Sequence, residues 1–219
     1  MFIIIQYKKG IELKSYELSE NSEYWDKYYN NKKIALPNSD FSKFALKYIK
    51  TNSSMIDIGC GDGRDSLFFA KNNIKTLGID FSQVSITKNK IYETDILKFK
   101  KQNLMDIEKL NKSFEYAYCR FMLHAINYEI QEQLFLWMSK NISDKIFIET
   151  RIADPEIDPQ KYNHYRRDFN QEEVVNSLEK HNFKIIYSKV SRNFSKYKKS
   201  YSVKDLTHDP LLLRLIIQN

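Results

Sequence analysis

The chain is poor in the residues that mark disulfide scaffolds, metal sites and membrane segments. Its 219 residues include only two cysteines, Cys60 and Cys119, too few for a disulfide framework or a four-cysteine zinc site. The four histidines lack HxH or HxxxH spacing, so the sequence predicts no metal site. No apolar run approaches the roughly 20 residues of a membrane helix, and the run at residues 2–5 is too short for a signal-peptide core. We therefore predict a cytoplasmic protein without a membrane span.

Arginine is scarce as well, although the chain is basic. Of 35 basic residues only seven are arginine, and with 28 acidic residues the net charge is +7. A guanidinium group binds carboxylates and phosphates through a planar fork that lysine lacks, so the position of each arginine is informative. The remaining composition, 42% hydrophobic and 29% charged, is typical of a globular protein. The length suits one domain.

Strand and helix patterns alternate along most of the chain. Short apolar segments predict strands at residues 54–58, 74–79, 97–104, 114–119, 145–150, 183–190 and 211–217. Helical spacing of apolar residues predicts helices at residues 19–31, 39–50, 63–72, 82–93, 128–141 and 170–180. This alternation predicts an α/β fold with a mostly parallel sheet and helices on both faces. The last strand follows the sixth without a clear helix, so we expect it to run antiparallel. We predict a single domain over residues 1–219, with a helical cap region at 1–50 and a core at 51–219.

Three of the five glycines fall in one short segment at the turn from the first predicted strand into a helix. Gly59, Gly61 and Gly63 have the spacing GxGxG, and glycine there lets a ligand lie against the backbone. Asp80 follows the second strand, where a carboxylate can accept both hydroxyl groups of a ribose. The GxGxxG fingerprint of dinucleotide enzymes would need a glycine at Arg64, and no GxxxxGK[ST] loop is present. The sequence therefore predicts a nucleoside site of another type.

The segments DIGCGDGRDS and GIDFS resemble the glycine-rich motif and the ribose-binding acidic residue of class I S-adenosylmethionine-dependent methyltransferases. The resemblance implies a Rossmann-like fold, a seven-stranded sheet with an antiparallel last strand, and S-adenosylmethionine as the cofactor, with S-adenosylhomocysteine as its product. The position that reads the adenine amino group aligns with Asn103, and Asp106 is the competing choice. The cofactor contacts that the resemblance implies are Asp57, Gly59, Cys60, Gly61, Gly63, Asp80, Phe81, Asn103, Leu104 and Arg120, with Tyr28, Tyr29 and Ser39 closing over the cofactor.

Two classes of base-modifying methyltransferase are disfavoured by the same comparison. Enzymes that methylate amino groups of bases or of glutamine carry an [DNS]PP[YFW] motif after the fourth strand, where this chain has CRFMLH. Enzymes that methylate C5 of cytosine need a Pro-Cys pair, and no proline of this chain precedes a cysteine. A nucleic-acid partner is therefore disfavoured despite the basic charge.

Arginines collect at the predicted carboxyl edge of the sheet, where doubly wound folds bind their ligands. Five of the seven arginines lie there: Arg64, Arg120, Arg151, Arg166 and Arg167. We predict that a small anionic acceptor is bound by Arg151, Tyr165, Arg166 and Arg167. For Arg64, a structural ion pair is the favoured alternative.

The second half of the chain, with RFMLHAI, IETR and HYRRDF, resembles bacterial methyltransferases found with capsule and surface-polysaccharide biosynthesis. That resemblance implies O-methylation of a sugar or of a phosphorus-containing group such as phosphoramidate. A sugar hydroxyl needs a general base, for which His164, His124 and Glu149 are the candidates. A phosphate-like oxygen is already ionised and needs none, in which case Glu149 would orient an arginine.

Two other functions stay open at this point. The chain would act as an RNA or protein methyltransferase if its positive surface binds a macromolecule. It would be a non-catalytic nucleoside-binding module if the glycine loop binds a cofactor that is never turned over. A homodimer is also left open.

Overall fold

The computed structural model describes residues 23–32, 37–156, 165–195 and 209–219. The helices are α1 (23–31), α2 (Asp40–Leu46), α3 (Arg64–Lys71), α4 (Gln83–Asn89), α5 (Tyr128–Asn141) and α6 (Gln171–Lys180). The strands are β1 (Ser54–Ile58), β2 (Lys75–Asp80), β3 (Leu97–Lys101), β4 (Phe114–Arg120), β5 (Ile142–Arg151), β6 (Lys184–Ser191) and β7 (Leu212–Gln218). Short 3-10 helices lie at Lys90–Tyr92, Leu104–Leu110 and Leu123–Ala125.

The seven strands form one sheet in the order β3-β2-β1-β4-β5-β7-β6. Every pairing is parallel except those of β7, which runs antiparallel to both β5 and β6. The predicted fold is therefore confirmed, including the antiparallel last strand. Strand order reverses between β1 and β4, and the crevice outside such a switch point is where open α/β sheets bind their ligands.

Helices cover both faces of the sheet, since alternate residues of the central strands point to opposite sides. On one face, side chains such as Ile56 and Ile148 pack with Leu134 of α5 and Leu178 of α6. On the other face, the buried cluster combines aromatic and aliphatic side chains of α2, α3 and the strands: Phe41, Ala45, Phe69, Met55, Tyr116, Tyr118, Phe147 and Ile216. Strand β7 is buried on both faces, and its sequence is apolar except for one arginine and the final glutamine.

Several element ends differ from the sequence prediction. The predicted helix 82–93 ends at Asn89 and continues as a 3-10 turn. The predicted strand 97–104 ends at Lys101, because the Asn103 side chain caps a 3-10 helix that starts at Leu104. Strand β5 begins at Ile142, directly after α5. The start of the helix predicted at 19–31, and the rest of the cap region before residue 23, lie outside the described residues.

One predicted helix start is confirmed in detail. The Asn170 side chain accepts a hydrogen bond from the Glu173 backbone N–H, and the Glu173 carboxylate accepts one in return from the Asn170 N–H. This reciprocal pair satisfies two backbone donors at the start of α6. In the part of the chain that is described, no helix is both long and apolar enough to cross a membrane.

Two leucines on α5 provide a matched test of the core. Leu134 is fully buried between α5 and the sheet, whereas Leu136 is 45% exposed on the opposite side of the helix. We expect Leu134→Ala to lower the free energy of unfolding by about 2–5 kcal/mol, because it removes buried methyl groups and leaves a cavity. Leu136→Ala should change it by less than about 0.5 kcal/mol. Urea unfolding followed by circular dichroism measures both, and equal losses would contradict the assigned orientation of α5.

Candidate active site at the carboxyl edge of the sheet

The glycine loop between β1 and α3 turns through left-handed backbone conformations. Gly59 and Gly61 have φ angles of +73° and +53°, a region that side chains rarely enter. A Cβ on Gly59 would lie 3.0 Å from Met122 Cγ, and one on Gly61 would lie 2.5 Å from the Tyr29 hydroxyl oxygen. The loop therefore needs glycine both for its turn and for the close approach of these neighbours.

Asp80 is fixed beside this loop at the end of β2. Its two carboxylate oxygens accept hydrogen bonds of 2.8 Å from the Gly61 and Ser82 backbone N–H groups. Burial raises the pKa of the Asp80 carboxyl above its ordinary value, and these backbone hydrogen bonds oppose the increase. Backbone amides thus hold a carboxylate at the position that the resemblance assigns to the cofactor ribose.

Asp57 lies deeper, on the face of β1 that packs against α3. It accepts a 2.5 Å hydrogen bond from Ser66 Oγ and is almost completely buried. Burial raises the pKa of Asp57 to about 8, and the carboxylates of Asp65, Asp80 and Asp62 add to the increase. Asp57 therefore keeps its proton at neutral pH, whereas the acidic groups of Asp62 and Asp80 lie beside the glycine loop.

Helix α1 packs over the loop from the outside and is joined to it by polar contacts. Lys32 forms a 2.6 Å ion pair with Asp62, and Asp26 accepts a 2.5 Å hydrogen bond from the Ser82 hydroxyl. Lys88 donates to the Tyr29 carbonyl over 2.6 Å. The Tyr29 side chain lies against Gly61. Tyr28, in contrast, is largely exposed.

The predicted contact Ser39 has a different set of partners. Its hydroxyl donates to Asp65 Oδ2 over 2.8 Å and lies 3.0 Å from the Tyr118 hydroxyl. Its side chain also accepts from the Ser42 N–H and so caps α2. Ser39 thus joins α2 to α3 and β4 behind the loop, and these bonds account for its burial without a ligand.

The other predicted cofactor contacts lie around the ends of β2 and β3. The side-chain oxygen Oδ1 of Asn103 accepts a 3.0 Å hydrogen bond from the Met105 N–H. The competing choice, Asp106, forms a surface ion pair with Lys109. Leu104 packs against the core, and Phe81 is half-buried at the start of the turn into α4. Cys60 is buried in the glycine loop, and burial raises the pKa of its thiol.

A row of charged residues crosses the neighbouring strands on the other side of the switch point. Arg120 of β4 lies opposite Glu149 of β5, which lies opposite Arg214 of β7. Arg120 Nε donates to Glu149 Oε1 over 2.8 Å, and Arg214 Nε donates to Oε2 over 2.5 Å. The Glu149 side chain is 0% exposed. Arg214 was not singled out from the sequence, because its partner lies 65 residues away and only the strand register brings the two together.

The four residues predicted to bind the acceptor do not form one cluster. The Arg151 guanidinium lies 5.6 Å from the centre of the Phe121 ring, beside Arg120. Arg167 instead donates to Gln131 of α5 and lines a separate cavity of about 220 Å³ between α5 and α6. Arg166 is almost buried, 3.9 Å from Asp168, and Tyr165 is exposed. Arg151 shares the Phe121 ring with the arginine of β4.

Two predicted histidines and Arg64 complete the site residues. His124 is buried in the turn after β4, with Nδ1 3.3 Å from Thr150 Oγ1. His164 lies outside the described residues. Arg64 donates to the Pro37 carbonyl over 3.3 Å, so the predicted ion pair is replaced by a backbone contact. Within the described ranges, no group of three histidine, cysteine or acidic residues could hold a metal ion.

Comparison with known proteins places this site in a family. A methyltransferase domain is matched over residues 27–188, which includes the glycine loop, Asp80 and the charged row except for β7. The chain belongs to the methyltransferase-domain family. This membership confirms the predicted enzyme class and its cofactor, S-adenosylmethionine. Among curated proteins, none matches the chain at a significant level.

Solved structures with the same fold are distant in sequence. A TehB-like S-adenosylmethionine-dependent methyltransferase from Corynebacterium glutamicum is 11% identical, with a TM-score of 0.63 over 91% of this chain and 97% of that one. Magnesium protoporphyrin IX methyltransferase from Synechocystis, with bound S-adenosylhomocysteine, is 12% identical, with a TM-score of 0.62 over 82% and 79%. The [4+2]-cyclase SpnF is 13% identical, with a TM-score of 0.68 over 94% of each chain. The fold alone therefore does not fix the acceptor.

The buried carboxyl of Asp57 predicts how stability depends on pH. Its folded-state pKa of about 8 lies above the ordinary 3.8, so between these values the folded protein keeps a proton that the unfolded chain releases. Stability contributed by this proton is complete below pH 4 and is lost as the pH rises through 8, by up to about 1 kcal/mol per pH unit. Asp57→Asn should flatten this slope while still accepting the Ser66 hydrogen bond. Urea unfolding of the ligand-free protein at several pH values tests this, and parallel slopes would contradict it.

The ion pair between Lys32, directly after α1, and Asp62 of the loop predicts that α1 slows the release of the cofactor. A partly exposed pair contributes about 0.2–1 kcal/mol, so Lys32→Ala should speed dissociation of S-adenosylhomocysteine roughly two- to fivefold. Lys27→Ala, on an exposed position of the same helix, is the matched control. Stopped-flow displacement measures the rates. Equal rates for the two variants would mean that α1 does not retain the cofactor.

Proposed function

We propose that this methyltransferase transfers the methyl group of S-adenosylmethionine to a small anionic acceptor bound over the carboxyl ends of β4 and β5 and the amino end of β7. The observation that carries the proposal is the separation of charge along this edge. The carboxylates of Asp62 and Asp80 lie beside the glycine loop, whereas Arg120 and Arg214 lie across the switch point. A cationic methyl donor fits the first region and an anion fits the second.

The residues around the loop fit the cofactor. S-adenosylmethionine supplies a methyl group on a positively charged sulfur, which the acceptor displaces in line. The Asp80 carboxylate, held by two amides, can accept from the ribose hydroxyls. The carboxylates nearby complement the positive sulfur. The protein contributes position and electric field rather than a reactive group of its own.

The available bases favour an acceptor that is already ionised. Both oxygens of Glu149 accept guanidinium N–H groups, and His124 is buried beside Thr150. Glu149 and His124 therefore both have side-chain partners already, so neither is placed to act as the base. We therefore favour a phosphate or phosphoramidate oxygen, in line with the resemblance to enzymes of capsule and surface-polysaccharide biosynthesis. A sugar hydroxyl with His164 as the base is the second choice.

Loss of the ribose-binding carboxylate should abolish tight cofactor binding. Hydrogen bonds to a charged group contribute about 1.5–3 kcal/mol each, so Asp80→Ala should weaken S-adenosylhomocysteine binding by at least about tenfold. Glu179→Ala, at an exposed position of α6, is the control and should leave the affinity unchanged. Calorimetric titration measures both. An unchanged affinity for Asp80→Ala would remove the basis of the cofactor site.

The acceptor class is tested by comparing anionic and neutral acceptors of the same skeleton. Release of S-adenosylhomocysteine is measured with a phosphate monoester, a phosphoramidate, the corresponding neutral sugar and an RNA oligonucleotide. We expect turnover with the phosphorus-containing anions only. Turnover with RNA that falls steeply with salt would support the macromolecular alternative. Cofactor binding without turnover on any acceptor would support the non-catalytic alternative.

A further inference from the structure

We propose that Glu149 is a positioning residue that holds Arg120 and Arg214 as a two-guanidinium clamp for the anionic group of the acceptor. The inference rests on the proposed function and assigns its acceptor site. It replaces the cluster expected from the sequence at residues 165–167, since Arg167 points to α5 and α6.

The clamp is built by strand register. Four aligned positions on β4, β5, β7 and β6 carry Arg120, Glu149, Arg214 and Lys189 in that order. The row therefore holds three cations and one anion. A carboxylate with no exposure is costly unless it is paired, and each Glu149 oxygen receives one guanidinium. This pairing leaves an excess of positive charge in a partly desolvated place, where an anion is bound more strongly than in water.

Aromatic rings lie close to the two guanidinium groups. Arg120 lies 3.9 Å from the centre of the Phe121 ring, and Arg214 lies 4.1 Å from that of Phe194. Phe121 adopts a left-handed conformation with φ of +58° and donates its N–H to the Glu149 carbonyl over 2.7 Å. A bulky residue in this conformation is strained, and such strain often occurs at functional sites. Here it places the ring under Arg120.

The clamp lies next to the glycine loop. Tyr118 of β4 is opposite Asp57 of β1 in the sheet, and Arg120 is two residues further toward the carboxyl edge on the same face. Met122, just beyond, contacts the bare face of Gly59. An anion held by Arg120 would therefore lie beside the loop that binds the methyl donor.

The test uses inorganic phosphate as the probe, titrated calorimetrically into the full-length enzyme saturated with S-adenosylhomocysteine. Arg120→Lys and Arg214→Lys keep the charge but lose the planar fork. We expect each to weaken phosphate binding at least about tenfold. The affinity of Arg214→Lys for S-adenosylhomocysteine should stay within twofold. Arg192→Lys, whose partner is Asp154 outside the row, is the matched control and should bind phosphate as the wild type does.

Two outcomes would overturn the clamp. One is wild-type enzyme that does not bind phosphate, and the other is equal phosphate affinity in the wild type, Arg120→Lys and Arg214→Lys. A fall in thermal stability alone, with phosphate binding kept, would make the row purely structural. If the wild type does not bind S-adenosylhomocysteine, the proposed function itself is contradicted. Failure of the clamp and failure of the proposed function are therefore distinguishable.

Glu149→Gln separates positioning from base catalysis. Glutamine keeps the shape and one acceptor oxygen, so turnover of the anionic acceptor should fall less than about tenfold, and the pH profile should keep its shape. A general base would show a loss of about 10²–10⁴ in rate with disappearance of the acidic limb of the profile. That result, with both arginine variants unaffected, would overturn the assignment of Glu149. If Glu149→Gln does not fold, the phosphate titrations of the arginine variants still decide the matter.

Discussion

The structure depends on the left-handed turn at residues 59–63, where three glycines join β1 to α3. That turn allows Asp80, at the end of the adjacent strand, to bond directly to the Gly61 amide. It also lets Tyr29 of α1 approach the loop from outside. A Cβ at Gly61 would separate all three, because the tyrosine hydroxyl occupies its place. The shape of the glycine loop, the position of the Asp80 carboxylate and the contact with Tyr29 thus all follow from one backbone constraint.

Charge is divided along the carboxyl edge at the point where strand order reverses. Acidic side chains gather at β1 and β2, where burial and mutual repulsion raise the pKa values of Asp57 and Asp80. Arginines gather at β4 and β7 around a single buried glutamate. A positively charged donor would reduce the repulsion among the acidic groups at β1 and β2. A negatively charged acceptor would reduce the repulsion between the arginines at β4 and β7. In the proposed function, this arrangement would bring the two reactants together with little need for acid–base chemistry by the protein.

The sheet and the cofactor loop could be predicted because their signals are local. Alternating apolar segments gave the seven strands, and three glycines within five residues marked the turn. The acceptor side could not be predicted in the same way. Arg214 meets Glu149 only through the register of β5 and β7. Arg166 and Arg167 adjoin in sequence, yet the Arg167 side chain extends to α5. Ser39 was assigned to the cofactor by resemblance, whereas its bonds to Asp65 and Tyr118 hold α2 in place. Long-range pairing and side-chain direction decide these residues, and neither is encoded in local spacing.

The most direct measurement is a crystal structure of the enzyme with S-adenosylhomocysteine bound. We expect both ribose hydroxyls to lie within hydrogen-bond distance of the Asp80 carboxylate and the sulfur to face the edge where Arg120 lies. A nucleoside bound away from the glycine loop, or a sulfur directed away from β4, would contradict it.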